Sequence, residues 1–144
     1  MATSWTDSTL TADQTMARAV HVNELRTAIN AENSRRGGSA LTWTDNPVVA
    51  NSTNIRQTHV AQIRTNAVQV HNTDCSTDST SDPTWTDDPL TADSSMVRAT
   101  HISELRSFVN SLENVSCLCN CDGHCSCNGQ CCNCDHCGSH CSPH

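Results

Sequence analysis

Apolar residues recur at helical spacing in separate stretches of the chain, with long polar segments between them. Val22, Leu25 and Ile29 lie three and four residues apart, and the same spacing returns between Ile102 and Leu112. Side chains at this spacing share one face of an α-helix. Each stretch is therefore predicted to form an amphipathic helix that buries its apolar face, and little strand is expected.

The helical stretches belong to a sequence unit that occurs three times. Each copy begins with Trp-Thr-Asp, has a His 16 residues after the Trp, and has an Arg three residues before and another five residues after that His. Agreement of three copies at these positions identifies an internal repeat. The middle copy differs in having Gln62 where the others have Glu. The shared residues are Trp5, Asp7, Arg18, His21 and Arg26, then Trp43, Asp45, Arg56, His59 and Arg64, then Trp85, Asp87, Arg98, His101 and Arg106.

Each repeat predicts a turn at the Trp followed by one helix. Asp, Asn and Pro after the Trp favour turn conformations. Thr15, Thr53 and Ser95 lie where helix N-caps are expected, and Gly37-Gly38 is expected to end the first helix because glycine adopts positive φ without cost. The predicted fold class is mainly α: three repeat units, each with one amphipathic helix, in a small bundle or repeat stack.

The residues shared by the repeats are expected to hold the Trp turn by hydrogen bonds, with each Trp as a packing anchor. A His between two Arg residues also suits an anion or metal site, which is the second interpretation. Because Asp and Arg recur together, one ion pair is expected in each repeat. The expected pairs are Asp7 with Arg26, Asp45 with Arg64, and Asp87 with Arg106.

The pattern divides the chain into four parts. Residues 1–72 hold the first two repeats, 73–84 form an acidic Ser/Thr linker, 85–114 hold the third repeat, and 115–144 form a tail rich in Cys and His. The tail lacks apolar residues for a core, so it is expected to be irregular and ordered by metal ions or disulfides. The helical part has few large apolar residues, which favours self-association of the chain.

Composition narrows the functions that the chain can serve. The 144 residues carry 8 basic and 15 acidic side chains, a formal net charge of −7, which disfavours nucleic acid as a partner. No apolar run is long enough for membrane insertion.

No signal peptide begins the sequence, which points to the cytoplasm, whereas membership of a surface assembly would place the chain outside the cell. No nucleophile elbow or phosphate-binding Gly loop is present, so an enzyme is not expected.

The tail has the highest density of candidate metal ligands in the chain. Ten Cys and four His occur at Cys-x-Cys, Cys-Cys and Cys-x-x-Cys spacing. Thiolates at such spacing bind Zn(II) or Cu(I), and this ligand set serves roughly three or four ions per chain. The candidate metal ligands are Cys117, Cys119, Cys121, His124, Cys125, Cys127, Cys131, Cys132, Cys134, His136, Cys137, His140, Cys141 and His144.

This tail, CLCNCDGHCSCNGQCCNCDHCGSHC, resembles the metallothioneins, including their bacterial members with admixed His. The resemblance implies sequestration of Zn, Cu or Cd by the matching Cys residues. The absence of Lys and Arg in the tail departs from the metallothionein pattern. The WTD…RAxHxxELRxxIN repeats are similar to short repeats of bacterial surface and phage-structural proteins, which implies a structural or display module.

Two other states of the Cys residues compete with metal binding. In an oxidising compartment the tail would be a disulfide framework with no metal cofactor, and Cys75 in the linker would supply an intermolecular thiol. An iron–sulfur cluster is the remaining option. The sequence therefore predicts a metal-binding protein with a helical repeat scaffold. The alternative is a self-assembling structural subunit of a bacterial surface filament or phage-like appendage, cross-linked through Cys.

Overall fold

The computed structural model describes residues 3–11, 17–50, 55–73, 81–91 and 97–115. Within these ranges the protein is mainly helical, with three helices and no strand. The helices are α1 (Ala19–Arg35), α2 (Gln57–His71) and α3 (Ala99–Glu113). Each helix packs against both of the others, which makes the arrangement a bundle. None of the three is long and apolar enough to cross a membrane.

The core lies between the helices and consists of the apolar stripes that the sequence predicts. Val22, Leu25 and Ile29 of α1 are fully buried, as are Ile102 and Leu105 of α3. Half-buried Trp and Leu side chains from the segments between the helices pack on the outside of this core. The core side chains of α2 are Val60, Ile63, Ala67 and Val70.

The helices begin later than the sequence suggests. The N-cap residues are Arg18, Arg56 and Arg98, each with an extended backbone, so the expected N-caps at Thr15, Thr53 and Ser95 are wrong; those three residues lie outside the described ranges. A guanidinium cannot accept a hydrogen bond, so Arg does not cap the helix with its side chain. The capping contact comes instead from the His three residues into each helix, described below.

The predicted end of the first helix at Gly37-Gly38 is confirmed. Gly37 has a φ of 71°, and the N–H of Gly38 bonds to the Asn33 carbonyl at 2.8 Å. The N–H of Gly37 bonds to the Ser34 carbonyl at 3.1 Å. These two bonds form a Schellman motif, which satisfies carbonyls that the helix leaves open.

The C-terminal ends of the three helices meet at Arg36, a residue with 2% exposure just after α1. Its guanidinium donates to the His71 carbonyl of α2 at 3.3 Å and to the Leu112 carbonyl of α3 at 3.4 Å. Its Nε also donates to buried Glu32 at 2.7 Å. The helices therefore run in the same direction. Their dipoles add at this end of the bundle, and the Arg36 charge offsets the shared negative pole.

Candidate functional site

Each Trp loop, defined here as the Trp-Thr-Asp segments 5–7, 43–45 and 85–87, is held by the His of its own repeat. His21 donates from Nε2 to the carboxylate of Asp7 at 3.0 Å, and its Nδ1 accepts from the backbone N–H of Arg18 at 3.1 Å. The ring is fully buried. Because Nδ1 is an acceptor, the neutral tautomer with the proton on Nε2 satisfies both contacts.

The same geometry recurs in the other two repeats. The Nε2 to carboxylate distances are 2.9 Å for His59 with Asp45 and 3.1 Å for His101 with Asp87. In both, Nδ1 accepts from the backbone N–H of the N-cap Arg at 3.1 Å. Each His thus joins the start of a helix to the loop that precedes it in the chain.

Electrostatics favour the neutral ring and the ionised carboxylate. Burial lowers the pKa of His21, and the positive charges of Arg106 and Arg18 lower it further, against an opposing effect of Glu24. The hydrogen bond from His59 lowers the pKa of the Asp45 carboxyl. His21 therefore acts as a neutral donor at neutral pH, and Asp45 acts as a charged acceptor.

The loop Asp residues adopt a left-handed backbone. Asp7, Asp45 and Asp87 have φ values of 51°, 50° and 52°. Asp is one of the few residue types other than glycine that enters this region readily. This conformation turns the chain after Trp-Thr so that the carboxylate faces the His and the backbone carbonyls face a neighbouring helix.

The second Arg of each repeat binds the Trp loop of another repeat. Arg26 of α1 donates to the carbonyls of Thr44 at 2.7 Å and Asp45 at 2.9 Å, and its guanidinium lies 5.3 Å from the centre of the Trp43 ring. The Arg26 guanidinium thus makes a bidentate hydrogen bond to the loop and a cation–π contact with its Trp. The expected pairing of Asp7 with Arg26 is therefore wrong.

The other two expected Asp–Arg pairs are also wrong, for the same reason. Arg64 of α2 donates to the carbonyls of Thr86 at 2.8 Å and Asp87 at 3.4 Å, whereas Arg106 of α3 donates to those of Thr6 at 2.7 Å and Asp7 at 2.8 Å. Five residues along a helix correspond to about 140° of rotation, so His and Arg cannot face the same loop. The Asp carboxylates instead bind the His and, in repeats 1 and 3, the first Arg of their own repeat.

A helix side chain three residues after the His, which the sequence did not mark as functional, completes each loop contact with an acceptor oxygen. Glu24 accepts from the backbone N–H of Thr6 at 3.0 Å, and Glu104 accepts from that of Thr86 at 3.1 Å. In the middle repeat the amide oxygen of Gln62 accepts from Thr44 at 2.8 Å. The recurrence of Glu three residues after two of the three His residues was the available signal.

The remaining His of the described ranges also contacts a carboxylate. His71 Nδ1 lies 3.1 Å from Asp82 Oδ1, and its ring meets Phe108 edge to face at 5.7 Å. Across the ranges that the structure describes, no group of three His, Cys, Asp or Glu side chains is arranged to hold a metal ion. The interpretation of the repeat His and Arg residues as a metal site therefore has no geometric support there.

The predicted metal ligands of the tail, Cys117 to His144, lie outside the described residues, as does Cys75. What the structure adds is the place where the tail starts: α3 ends at Glu113 and the described chain ends two residues later at Val115. Comparison with known proteins adds no relative. No protein-family model, curated protein or solved structure matches this chain.

Proposed function

We propose that this protein binds several Zn(II) or Cu(I) ions through its Cys/His tail and that the three-helix domain is the scaffold carrying the tail. The single observation behind the proposal is the ligand density after Cys117, with ten Cys and four His in 28 residues. Closely spaced Cys thiolates are the preferred ligands of these metals.

The contacts in the helical domain support a division of labour between the two parts. Of the eight His residues, His21, His59, His71 and His101 lie in the described ranges, and each faces an Asp carboxylate. Three of them also accept a backbone N–H at a helix start. These four rings are engaged in contacts within the helical domain, and we assign metal binding to the tail.

The alternative of a self-assembling filament subunit has less support from the domain contacts. Arg26, Arg64 and Arg106 each bind a Trp loop of the same chain. A repeat surface that is occupied within the chain does not offer the same contacts to a neighbouring copy. The Arg–Trp loop contacts are therefore not available as an assembly interface, and cross-linking through Cys is the route to assembly that the sequence offers.

The proposal is tested by titrating the reduced protein with Zn(II) and counting bound ions by native mass spectrometry. We expect about three or four ions per chain. Cys thiols lose their protons when they bind metal as thiolates. The titration should therefore also release protons into a weakly buffered solution.

Two variants give the titration a matched control. Cys131→Ser/Cys132→Ser removes two adjacent tail thiols and should lower the zinc count, whereas Cys75→Ser removes the one Cys outside the tail and should leave the count unchanged. Equal counts for all three proteins, or no ion retained by the reduced wild-type chain, would reject the tail as the metal site.

A further inference from the structure

An open apolar groove runs along the outer face of α1, beside the N-terminal segment. Its volume is about 540 Å³, and its lining residues include Thr3, Val20, Ala28, Ala31 and Val48. An engineered cavity of about 150 Å³ is enough to hold benzene, so this groove has room for a Leu side chain and its neighbours. One lining residue, Glu24, also accepts from Thr6 of the first Trp loop, and the apolar lining residues take no part in the hydrogen bonds that hold the Trp loops.

Two of the residues that line the groove on α1 are not repeated in the other two helices. Ala31 lies ten residues after His21, and the corresponding residues of α2 and α3 are Gln69 and Ser111. Val20, just before that His, is replaced by Thr in the other two helices. Val49, next to a lining residue in the chain, is 49% exposed and extends the apolar surface.

The chain that follows α3 starts beside this groove. The backbone N–H of Thr3 donates to the Glu113 carboxylate at 2.9 Å, and the Thr3 hydroxyl bonds to the same carboxylate. Thr3 also lines the groove. The N-terminal segment therefore lies between the last turn of α3 and the groove.

The tail contains one large apolar residue, Leu118, and it follows soon after α3. It lies three residues after Val115, where the described chain ends with its N–H bonded to the Leu112 carbonyl, and three residues span up to about 10 Å when extended. Because Thr3 contacts Glu113 and also lines the groove, we expect Leu118 to reach the groove. Burial of its side chain there would remove apolar surface of Leu118 and of the groove from water.

We propose that the first residues of the tail, centred on Leu118, dock into the groove on α1. Docking would seat Cys117 and Cys119, which flank Leu118, against the helical domain, so that the first thiol pair is held in place while the rest of the tail folds around metal. The part of this inference that concerns these two thiols rests on the metal-binding function proposed above; the docking itself does not.

The test is a methyl NMR experiment on the full-length, reduced, zinc-titrated chain with labelled Leu and Ala methyl groups. We expect nuclear Overhauser contacts from the Leu118 methyls to the methyls of Ala28 and Ala31. Ala31→Arg, a change at an exposed position, should abolish the contact to the Ala28 methyl by filling the groove, whereas Gln69→Arg at the equivalent position of α2 should leave both contacts intact. Leu118→Ser, which keeps both Ala methyls, should shift the Ala28 and Ala31 signals.

Each result decides the proposal. Leu118 methyls with unfolded-chain shifts and no contact to α1 would overturn it, and so would contacts that appear only between differently labelled copies, which would make a second copy the occupant. Bound zinc is measured by elemental analysis of the same sample. Zinc without Leu118 contacts rejects the docking alone, and Leu118 contacts without zinc reject the metal-binding function alone.

Discussion

Arg106 donates a hydrogen bond to the backbone carbonyl of Asp7, a residue 99 positions earlier in the chain, at 2.8 Å. This contact brings the last helix to the first Trp loop. Since Arg26 binds the second loop and Arg64 binds the third, the Arg–loop contacts form a closed cycle of three. The contact between the first and third repeats is the one with no direct chain connection, and it has an ion pair between Arg106 and Glu24 at 3.3 Å.

Removal of Arg106 should open this cycle. We expect Arg106→Ala to lower the free energy of unfolding by about 3 kcal/mol, because this residue is 5% exposed and its loss leaves two loop carbonyls without their donor and removes the ion pair with Glu24. Urea unfolding followed by Trp fluorescence measures the change.

Arg18→Ala is the matched control for that experiment. The Arg18 side chain is 54% exposed and pairs with Asp7 at the surface, so its removal should cost less than about 1 kcal/mol. Equal losses for the two variants would show that the buried Arg has no special role in closing the bundle.

The middle repeat offers a stabilising substitution. Gln62 takes the place of the Glu that accepts from the loop N–H and, in the other repeats, also meets the buried Arg of a neighbouring helix. Gln62→Glu should raise the free energy of unfolding by about 0.5–1 kcal/mol, because hydrogen bonds to a charged acceptor are stronger. The gain should shrink in high salt.

Gln69→Glu tests whether position 62 is special. It adds the same charge to the exposed face of the same helix, away from any Trp loop, and should change stability little. If both variants shift the urea midpoint equally, the effect belongs to net charge and not to the loop contact.

Two substitutions of Asp87 separate the effect of its backbone conformation on stability from the effect of its carboxylate. Asp87→Ala removes the acceptor for His101 and Arg98 and places Ala at a φ of 52°, so we expect a loss of about 2–3 kcal/mol and a lower Tm. Asp87→Asn keeps an acceptor oxygen and tolerates this φ, so its loss should be about 1 kcal/mol. Thermal melts of the two variants with equal losses would contradict this account of the loop.

Stability should fall on acidification below about pH 6.5. Burial lowers the pKa of His21 in the folded state below its ordinary value of 6.5, so the unfolded chain binds this proton first and acid favours unfolding. The contribution of neutral His21 is fully present above pH 6.5 and is lost as the pH falls toward the folded-state pKa. Stability should fall again below about pH 3.8. There the unfolded chain protonates Asp45 before the folded chain does, because the pKa of this carboxyl is lowered in the folded state.

The measurement is the urea midpoint from pH 8 to pH 5, compared with that of His21→Gln. The variant removes one titrating group and should have a shallower dependence on pH over this range. A wild-type midpoint that is constant or rises as the pH falls to 5 would contradict the assignment of a neutral, buried His21.

Local features of the fold were predictable from the sequence because neighbouring residues determine them. The apolar spacing of Val22, Leu25 and Ile29 places them in the core, and Gly37 ends α1 with the positive φ that glycine permits. The use of the repeat His residues, and of the first Arg in repeats 1 and 3, to hold the Trp turn of the same repeat also followed from their recurrence.

Contacts between repeats were not predictable in the same way. Spacing alone does not reveal which loop Arg26 faces, because the answer depends on how parallel helices pack. The same holds for Arg36, which looks like an ordinary charged residue after a helix but caps the ends of two others. The helix starts were misplaced because Arg stands at the N-cap in place of Ser, Thr or Asp, and the His three residues later accepts from the N-cap N–H as Glu or Gln does in a capping box.

The central claim, that the tail binds metal, is tested most directly by elemental analysis combined with a thiol count on protein purified without chelator. The account predicts about three or four zinc ions, or more copper, per chain, with the ten tail thiols becoming titratable once the metal is removed. Protein with no metal and few free thiols would contradict the claim and would identify the tail as a disulfide framework.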